Sequence, residues 1–312
     1  MAIEEVVLVS PRGFCAGVEM AVATVERALE KYGPPLYVFH EIVHNRHVVQ
    51  EFTRRGVRFV QTLDEVPTGA KLIFSAHGIS PVVWQQAKEK KIAIVIDATC
   101  PLVEKVHREV RRFAAQGYSI ILVGHEKHDE IVGTSGEAPQ NVYVVADVEQ
   151  AQTVQVPDPG KVAVLTQTTL SVDDTREVVE TLKRRYPKIV TPAKDDICYA
   201  TQNRQDAVKQ LGRHVDMVLV IGSPNSENSN QLCGVARAQG VPAYLIDDVH
   251  SLNTSWLSGI KRVGITSGAS VPERLVEEAA AFFENQGARI SRLGFVEENI
   301  HFVLPPEIIH TD

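Results

Sequence analysis

The run CPLVEKVHREVRRFAAQGYSIILVGHEKHDE, residues 100–130, sets out a plan that the rest of the chain repeats. Cys100 is followed by Pro101, suited to a first helical turn, and by Leu102, Val106, Val110 and Phe113 at helical spacing. The helical pattern gives way to an apolar run, SIILVG, and that run to a polar loop, GHEKHDE. The same order occurs twice more. Cys15 precedes AGVEMAVATVERALEKYG, with Val18, Val22, Val25 and Leu29 on one face, and its loop is HEIVHN. Cys198 precedes YATQNRQDAVKQLG, a weaker amphipathic pattern, and its loop is GSPNSENSN.

The loops are in register. His44 lies 29 positions after Cys15, His128 lies 28 after Cys100, and Ser226 lies 28 after Cys198. A strand-plus-acid signature follows each (FVQTLDEV, YVVADVEQ, YLIDDVHSL), with first aspartates Asp64, Asp147 and Asp247 at offsets of 49, 47 and 49. Each copy closes on a strand and a small polar loop: SAHGIS, TQTTLS and TSGAS. His77, Thr168 and Ser270 sit there, at offsets of 62, 68 and 72. Internal similarity of this kind signals repeated structural units, and apolar runs alternating with helical stretches signal parallel sheets flanked by helices. The expected fold is α/β: three similar α/β units in a pseudo-threefold trefoil. They cover residues 16–99, 101–196 and 198–285, with 1–14 and 286–312 packed against the third.

Bulk properties exclude several functions. The chain has 312 residues, more than one core comfortably supports, and 44% of them are hydrophobic and 23% charged, as in globular proteins. Its net charge is −7 and it lacks a long basic tract, so neither nucleic acid nor a membrane surface is an expected partner. No apolar run approaches the roughly 18 residues that span a bilayer, and MAIEEVVLVS reads as a buried strand and not as a signal peptide. Four cysteines are too few for a disulfide scaffold, which fits a reducing cytoplasm. Neither GxGxxG nor GxxxxGKS/T is present, so no nucleotide cradle is expected.

Three like units around one axis would bring Cys15, Cys100 and Cys198 together, with the polar loops at the carboxyl ends of parallel strands. Three thiolates suit an iron–sulfur cluster or a zinc ion. A cubane cluster normally takes four cysteines, so three leave one iron open to a substrate. A helix beginning after each cysteine favours negative charge there, and Gly13 and Gly17 permit close backbone approach. A single cysteine is ordinarily a small buried hydrophobe; three at equivalent positions favour ligation. Cys233 matches no repeat position and reads as structural. The loops supply His44, His77, His128, Thr168, Ser226, Asn228 and Ser270, donors without a lysine or arginine among them. Such a set suits a diphosphate held by directed hydrogen bonds, although each residue taken singly fits a surface position or local cap. His40, His47, His107 and His125 read as structural. Glu130 lies two residues after His128, which on an extended segment puts both side chains on one face, and a carboxyl there is a natural proton source. A solvated glutamate is the other reading, and Asp129 and Glu126 are set aside.

PRGFCAGVEMA, HEIVHN, SAHGIS, DATCPLV, TQTTLSVDDT, KDDICYATQNRQ and TSGAS resemble the LytB family of 4-hydroxy-3-methylbut-2-enyl diphosphate reductases, which ends the non-mevalonate isoprenoid pathway. The resemblance runs from about residue 8 to HFVLPPEI near the C-terminus. It implies a trefoil of three α/β domains around one 4Fe–4S cluster, ligated by Cys15, Cys100 and Cys198, whose open iron can be lost to air to leave 3Fe–4S. It further implies that His44, His77, His128, Thr168, Ser226, Asn228 and Ser270 hold the substrate, and that Glu130 delivers a proton through Thr168. Ferredoxin or flavodoxin is the implied electron donor, and a monomer is adequate. Two positions depart from the family pattern. Its HPE is HDE here, so Asp129 replaces a proline and removes a φ restraint; its NSSNS is NSENS, so Glu227 replaces a serine beside the diphosphate. The expectation is that the Glu227 side chain turns away from the anion. Two other classes remain open: an iron–sulfur hydro-lyase or quinolinate-type synthase, which needs no electron donor, and a redox sensor, which needs no ring of donors. A structural zinc site is disfavoured by the lack of CxxC spacing.

Overall fold

A computed structural model describes residues 3–309. The chain opens with strand β1 (Glu5–Ser10) and helix α1 (Ala16–Tyr32). Then come β2 (Leu36–Phe39), α2 (Arg46–Arg54), β3 (Val57–Val60), β4 (Lys71–Phe74), α3 (Pro81–Glu89) and β5 (Ile94–Asp97). The second copy holds α4 (Pro101–Ala115), β6 (Ser119–Val123), α5 (Asp129–Ser135), β7 (Val142–Val145), α6 (Val148–Thr153), β8 (Val162–Thr166) and α7 (Val172–Arg185). The third holds α8 (Tyr199–Leu211), β9 (Met217–Ile221), α9 (Glu227–Ala238), β10 (Ala243–Ile246), β11 (Arg262–Ser267) and α10 (Glu273–Glu284). Strand β12 (Arg289–Gly294) and the short helix α11 (Pro306–Ile309) complete the described chain.

The strands form three parallel sheets, in the orders β3-β2-β4-β5, β7-β6-β8 and β10-β9-β11-β1-β12. The repeat is visible in that order. In each sheet the strand after the cysteine-led helix (β2, β6 or β9) lies between the next two strands of its copy. The strand leading to the following cysteine lies outermost in the first copy, as β5. In the second copy it shrinks to Val190, which bridges Ala163. In the third it is supplied by β1, which pairs with β11 from Glu5↔Arg262 to Leu8↔Ile265 and carries β12 on its far side. The repeat is therefore closed cyclically, with the first strand of the sequence finishing the last sheet.

The chain forms two compact units. One comprises Met1–Val18, His44–Val48 and Tyr199–Ile300 and holds the five-stranded sheet; the other comprises Glu19–Val43, Val49–Cys198 and His301–Asp312 and holds the other two sheets. The first and second copies share a unit because their backbones meet closely. A Cβ on Gly133 of α5 would lie 2.9 Å from the Gly78 carbonyl oxygen, and one on Gly136 would lie 2.3 Å from Ser80 Cβ. Core residues cover both faces of the five-stranded sheet, with Leu219, Ile265 and Phe283 on one side and Val218, Val220 and Leu232 on the other. Strands buried on both faces read as unbroken apolar runs, which is why MVLVIG and SIILVG were legible as strands.

Two details differ from the sequence expectation. On α1 the buried face is Met20, Ala21, Thr24, Val25 and Ala28, whereas Val18, Val22 and Leu29 are only half-buried. Small residues line that face, so a count of large apolar side chains places the stripe a fraction of a turn away. Residues 301–309, set by sequence with the rest of 286–312 beside the third copy, group with the first, where the Tyr32 hydroxyl donates to the Glu307 carbonyl at 3.0 Å. Among the described residues no helix is long and apolar enough to cross a membrane.

Candidate active site

None of the four cysteines is in a disulfide, and three of them share one setting. Cys15, Cys100 and Cys198 are half-buried and stand immediately before α1, α4 and α8. The Cys15 N–H donates to Ala269 O at 3.2 Å, the Cys100 N–H to Ala76 O at 3.0 Å, and the Cys198 N–H to Thr168 O at 3.1 Å. The acceptors belong to the closing loops TSGAS, SAHGIS and TQTTLS, so the three equated cysteines bond to equivalent loops, at the residue before Ser270, the residue before His77 and Thr168 itself. Cys233 is unlike them: it is buried within α9, and desolvation pushes its thiol up to about 11. A cysteine must be accessible if its sulfur is to meet a metal, and all three are. Each of the three therefore suits a metal-ligating role, and buried Cys233 does not.

The unit with the five-stranded sheet carries one connected set of polar groups. Gly13, at φ +71, donates its N–H to Ser267 Oγ at 2.8 Å, and its carbonyl accepts from Arg204 Nη2 at 2.8 Å. A left-handed conformation two residues before Cys15 is where glycine is required. Ser226 caps α9, its hydroxyl accepting from the Ser229 N–H and from Ser229 Oγ at 3.0 Å. Asn228 Oδ1 accepts from the Ala269 N–H at 2.9 Å, and its amide donates to Thr201 Oγ1 at 3.3 Å. Ser270 Oγ donates to His44 O at 2.9 Å. Cys15, His44, Asn228 and Ser270 are thus linked through Ala269 and its neighbours. Glu227 is the first residue of α9, and its carboxylate accepts from the side-chain amide of Gln231, four residues on. That contact lays the carboxylate along the helix flank. Glu227→Ser is accordingly expected to change KM by no more than about twofold, the size of an ordinary surface substitution; a large fall in KM would show that the carboxylate obstructs the substrate.

Arg204 is the buried cation that sequence reasoning missed. It is 0% exposed, and Nη1 reaches Ala200 O and both Glu298 oxygens at 3.1, 3.1 and 3.2 Å while Nη2 holds the Cys15 turn. Glu298 also accepts from Asn203 at 3.0 Å. No local pattern links Arg204 to Glu298, which lies 94 residues away. Removing one partner of a buried pair leaves the other uncompensated, at about 3–5 kcal/mol. Glu298→Ala is expected to lower the thermal midpoint of the metal-free protein by that loss, with Glu298→Gln intermediate because it still accepts a hydrogen bond. An unchanged midpoint for Glu298→Ala would show that solvent replaces the carboxylate.

The other unit carries a second connected set. Asp129–Ser135 is helical, so the extended segment expected at HEKHDE is absent. His128 caps this helix, its Nδ1 accepting from the Glu130 N–H at 3.1 Å, because an acceptor at that position satisfies a first-turn donor. The two side chains therefore do not share one face of a strand; Glu130 turns inward and is 2% exposed. Its Oε1 accepts from the Thr168 N–H at 2.7 Å and its Oε2 from Thr168 Oγ1 at 2.9 Å. Burial raises the Glu130 carboxyl to about 7, against the opposing pull of the two Thr168 bonds. The His77 and His128 rings meet edge to face at 5.9 Å. His77, His128, Glu130 and Thr168 are thus gathered with the backbones of Cys100 and Cys198, through Ala76 and Thr168.

Structural roles explain several neighbouring groups. His107 is buried under Gly78 and bonds Glu137 at 2.8 Å, and Arg111 completes that pair at 2.8 Å. Lys105 donates to Asp196 Oδ1 at 2.9 Å, and Asp196 Oδ2 accepts from the Thr166 N–H at 3.0 Å, which braces the segment before Cys198. Asp147 caps α6, and Asp248, not Asp247, caps the turn Val249–Ser251. These aspartates of the strand-plus-acid signature are helix starts.

A threefold-repeated α/β chain with a cysteine at the head of each copy's first helix, and a buried acid bonded to a loop threonine, defines the class. A family model described as "LytB protein" matches residues 6–284, and the chain belongs to the LytB family. It is 52% identical over 305 residues to the 4-hydroxy-3-methylbut-2-enyl diphosphate reductase of Acidothermus cellulolyticus, covering 97% of this chain and 89% of the relative. The protein of the same name from Nitrosomonas europaea is 51% identical over 310 residues, with 96% of each chain covered. Among solved structures, the E-1-hydroxy-2-methyl-but-2-enyl-4-diphosphate reductase of Plasmodium falciparum superposes with a TM-score of 0.95 at 39% identity, covering 99% of this chain and 98% of that one.

Proposed function

We propose that this chain is an oxidoreductase that removes the hydroxyl of 4-hydroxy-3-methylbut-2-enyl diphosphate reductively, giving isopentenyl and dimethylallyl diphosphate in the non-mevalonate pathway. The allylic C–O bond breaks, the oxygen leaves as water with one proton, a second proton adds to carbon, and two electrons enter from a one-electron donor of ferredoxin or flavodoxin type. The observation that carries this reading is the pairing of a carboxyl that is 2% exposed with the Thr168 N–H and hydroxyl, in a member of the LytB family.

Cys15, Cys100 and Cys198 are assigned as ligands of one 4Fe–4S cluster, with one iron left without a protein ligand. Such a cluster, when bound, supplies the electrons singly to the C–O bond. The chain's own groups do the rest. His44, His77, His128, Ser226, Asn228 and Ser270 orient the substrate, mainly through its diphosphate, with directed bonds in place of a bare cation. Glu130 holds a proton near neutrality, and Thr168 Oγ1 accepts it while passing its own hydrogen to the leaving oxygen. Burial of Glu130 and Thr168, at 2% and 4% exposure, keeps that proton from bulk water. Every residue in this assignment comes from one chain, so a monomer suffices. The test is anaerobic: iron and sulfide analysis of purified protein, then turnover of the diphosphate alcohol with and without reduced donor. Turnover that persists without a donor would assign the chain to the lyases instead.

A further inference from the structure

Asp129 separates His128 from Glu130 and is the first residue of α5. Its Oδ1 lies 2.6 Å from Nδ1 of His40, with both side chains about three-quarters buried at 24% and 23% exposure. His40 is itself an unusual residue. It stands at the end of β2, four positions before His44, with φ at 60, a conformation that non-glycine residues hold only where their surroundings impose it. Its N–H donates to Val60 O at 2.8 Å and its ring lies 4.3 Å from the Phe39 ring, so it is fixed to the sheet at both ends.

We propose that the His40–Asp129 pair is a positioning device for the acid: it pins the start of α5 and thereby aims Glu130 at Thr168. The inference rests on the reading of Glu130 as proton donor. The need for a pin is physical. The helix has only seven residues, too short to hold its own geometry, and its first residue is an aspartate, which lacks the φ restraint of a proline ring. A proline at 129 would impose the same start covalently. His128 has φ −75 and ψ 136, the backbone that a following proline requires, and the first helical position is where a missing N–H costs least. The His40–Asp129 contact and the proline ring are two solutions to one constraint, so either should make the other dispensable.

The experiment is a cycle of four variants: Asp129→Asn, His40→Gln, Asp129→Pro, and Asp129→Pro with His40→Gln. Two readouts apply, steady-state kcat and KM of the cluster-loaded enzyme, and amide hydrogen exchange of residues 130–135 in the metal-free protein. Asp129→Asn and His40→Gln are each expected to lower kcat about tenfold, as for a slightly misplaced catalytic group, with KM little changed and exchange in α5 faster. Asp129→Pro is expected to recover most of kcat and slow that exchange, and His40→Gln is expected to cost nothing further in the proline background. An equal loss from His40→Gln in both backgrounds overturns the proposal, as does unaltered kcat in Asp129→Asn. Glu130→Gln, run alongside, separates the two ideas: if it keeps normal kcat, the donor reading fails and the positioning role falls with it.

Discussion

Cys15→Ser, Cys100→Ser and Cys198→Ser are each expected to yield protein depleted of cluster iron and inactive, whereas Cys233→Ser is expected to keep both iron and activity. The expectation follows from the contrast between two settings. Each of the first three thiols is half-buried ahead of a helix, and its backbone N–H is tied to the closing loop of a copy. Serine keeps that backbone bond and nearly the same volume but offers a hard, poorly ionised oxygen where iron–sulfur clusters take thiolate. The Cys233 thiol is 3% exposed, packed among Leu232, Val235 and Ala236, and raised to about 11 by desolvation, so it contributes packing alone. Iron and sulfide per chain, measured without air, read the result directly. Equal depletion in all four variants would show that iron loss follows general destabilisation, and the repeat argument would then lose its force.

Glu130→Gln comes second in size. The amide keeps an oxygen for the Thr168 N–H but has no acid proton, so binding should survive while kcat falls by about 10²–10⁴, the usual share of a positioned acid. Wild-type kcat should decline as pH rises through about 7, because the donor must be protonated and burial sets its carboxyl there. The same shift has a stability consequence of definite sign. A carboxyl raised above its unfolded value favours the fold fully at acidic pH, and that contribution disappears as pH climbs from the ordinary carboxylate range past about 7. Glu130→Gln should flatten both dependences. A variant with near-normal kcat and an unaltered alkaline limb would remove Glu130 from the chemistry.

Much of this architecture was readable because buried parallel strands and cysteine-led helices leave periodic marks. SIILVG, MVLVIG and KVAVLT each hold an unbroken apolar stretch since both faces of their sheets are covered. What escaped was whatever depends on partners distant in sequence. Strand β12, RISRLG, is half exposed and carries two arginines, so no apolar run announces it; it exists because β1 offers an edge. The Arg204–Glu298 and Lys105–Asp196 pairs join residues 94 and 91 positions apart, and nothing local distinguishes them from surface charges. At HEKHDE the structure has a helix start in place of an extended segment; histidine is not a usual cap, yet His128 Nδ1 fills that role. Asp129, set aside as a charged loop residue, is paired with His40.

The position of β1 orders events during synthesis. It leaves the ribosome ahead of every other described strand, but the strands that flank it, Arg262–Ser267 and Arg289–Gly294, are the last of them to emerge. Until then its edges are bare, and the acceptor for the Cys15 amide, Ala269, has yet to be made. The Cys15 turn must therefore wait for nearly all of the described chain before it is held, and a nascent chain stalled short of residue 260 would present an aggregation-prone strand with no sheet to join.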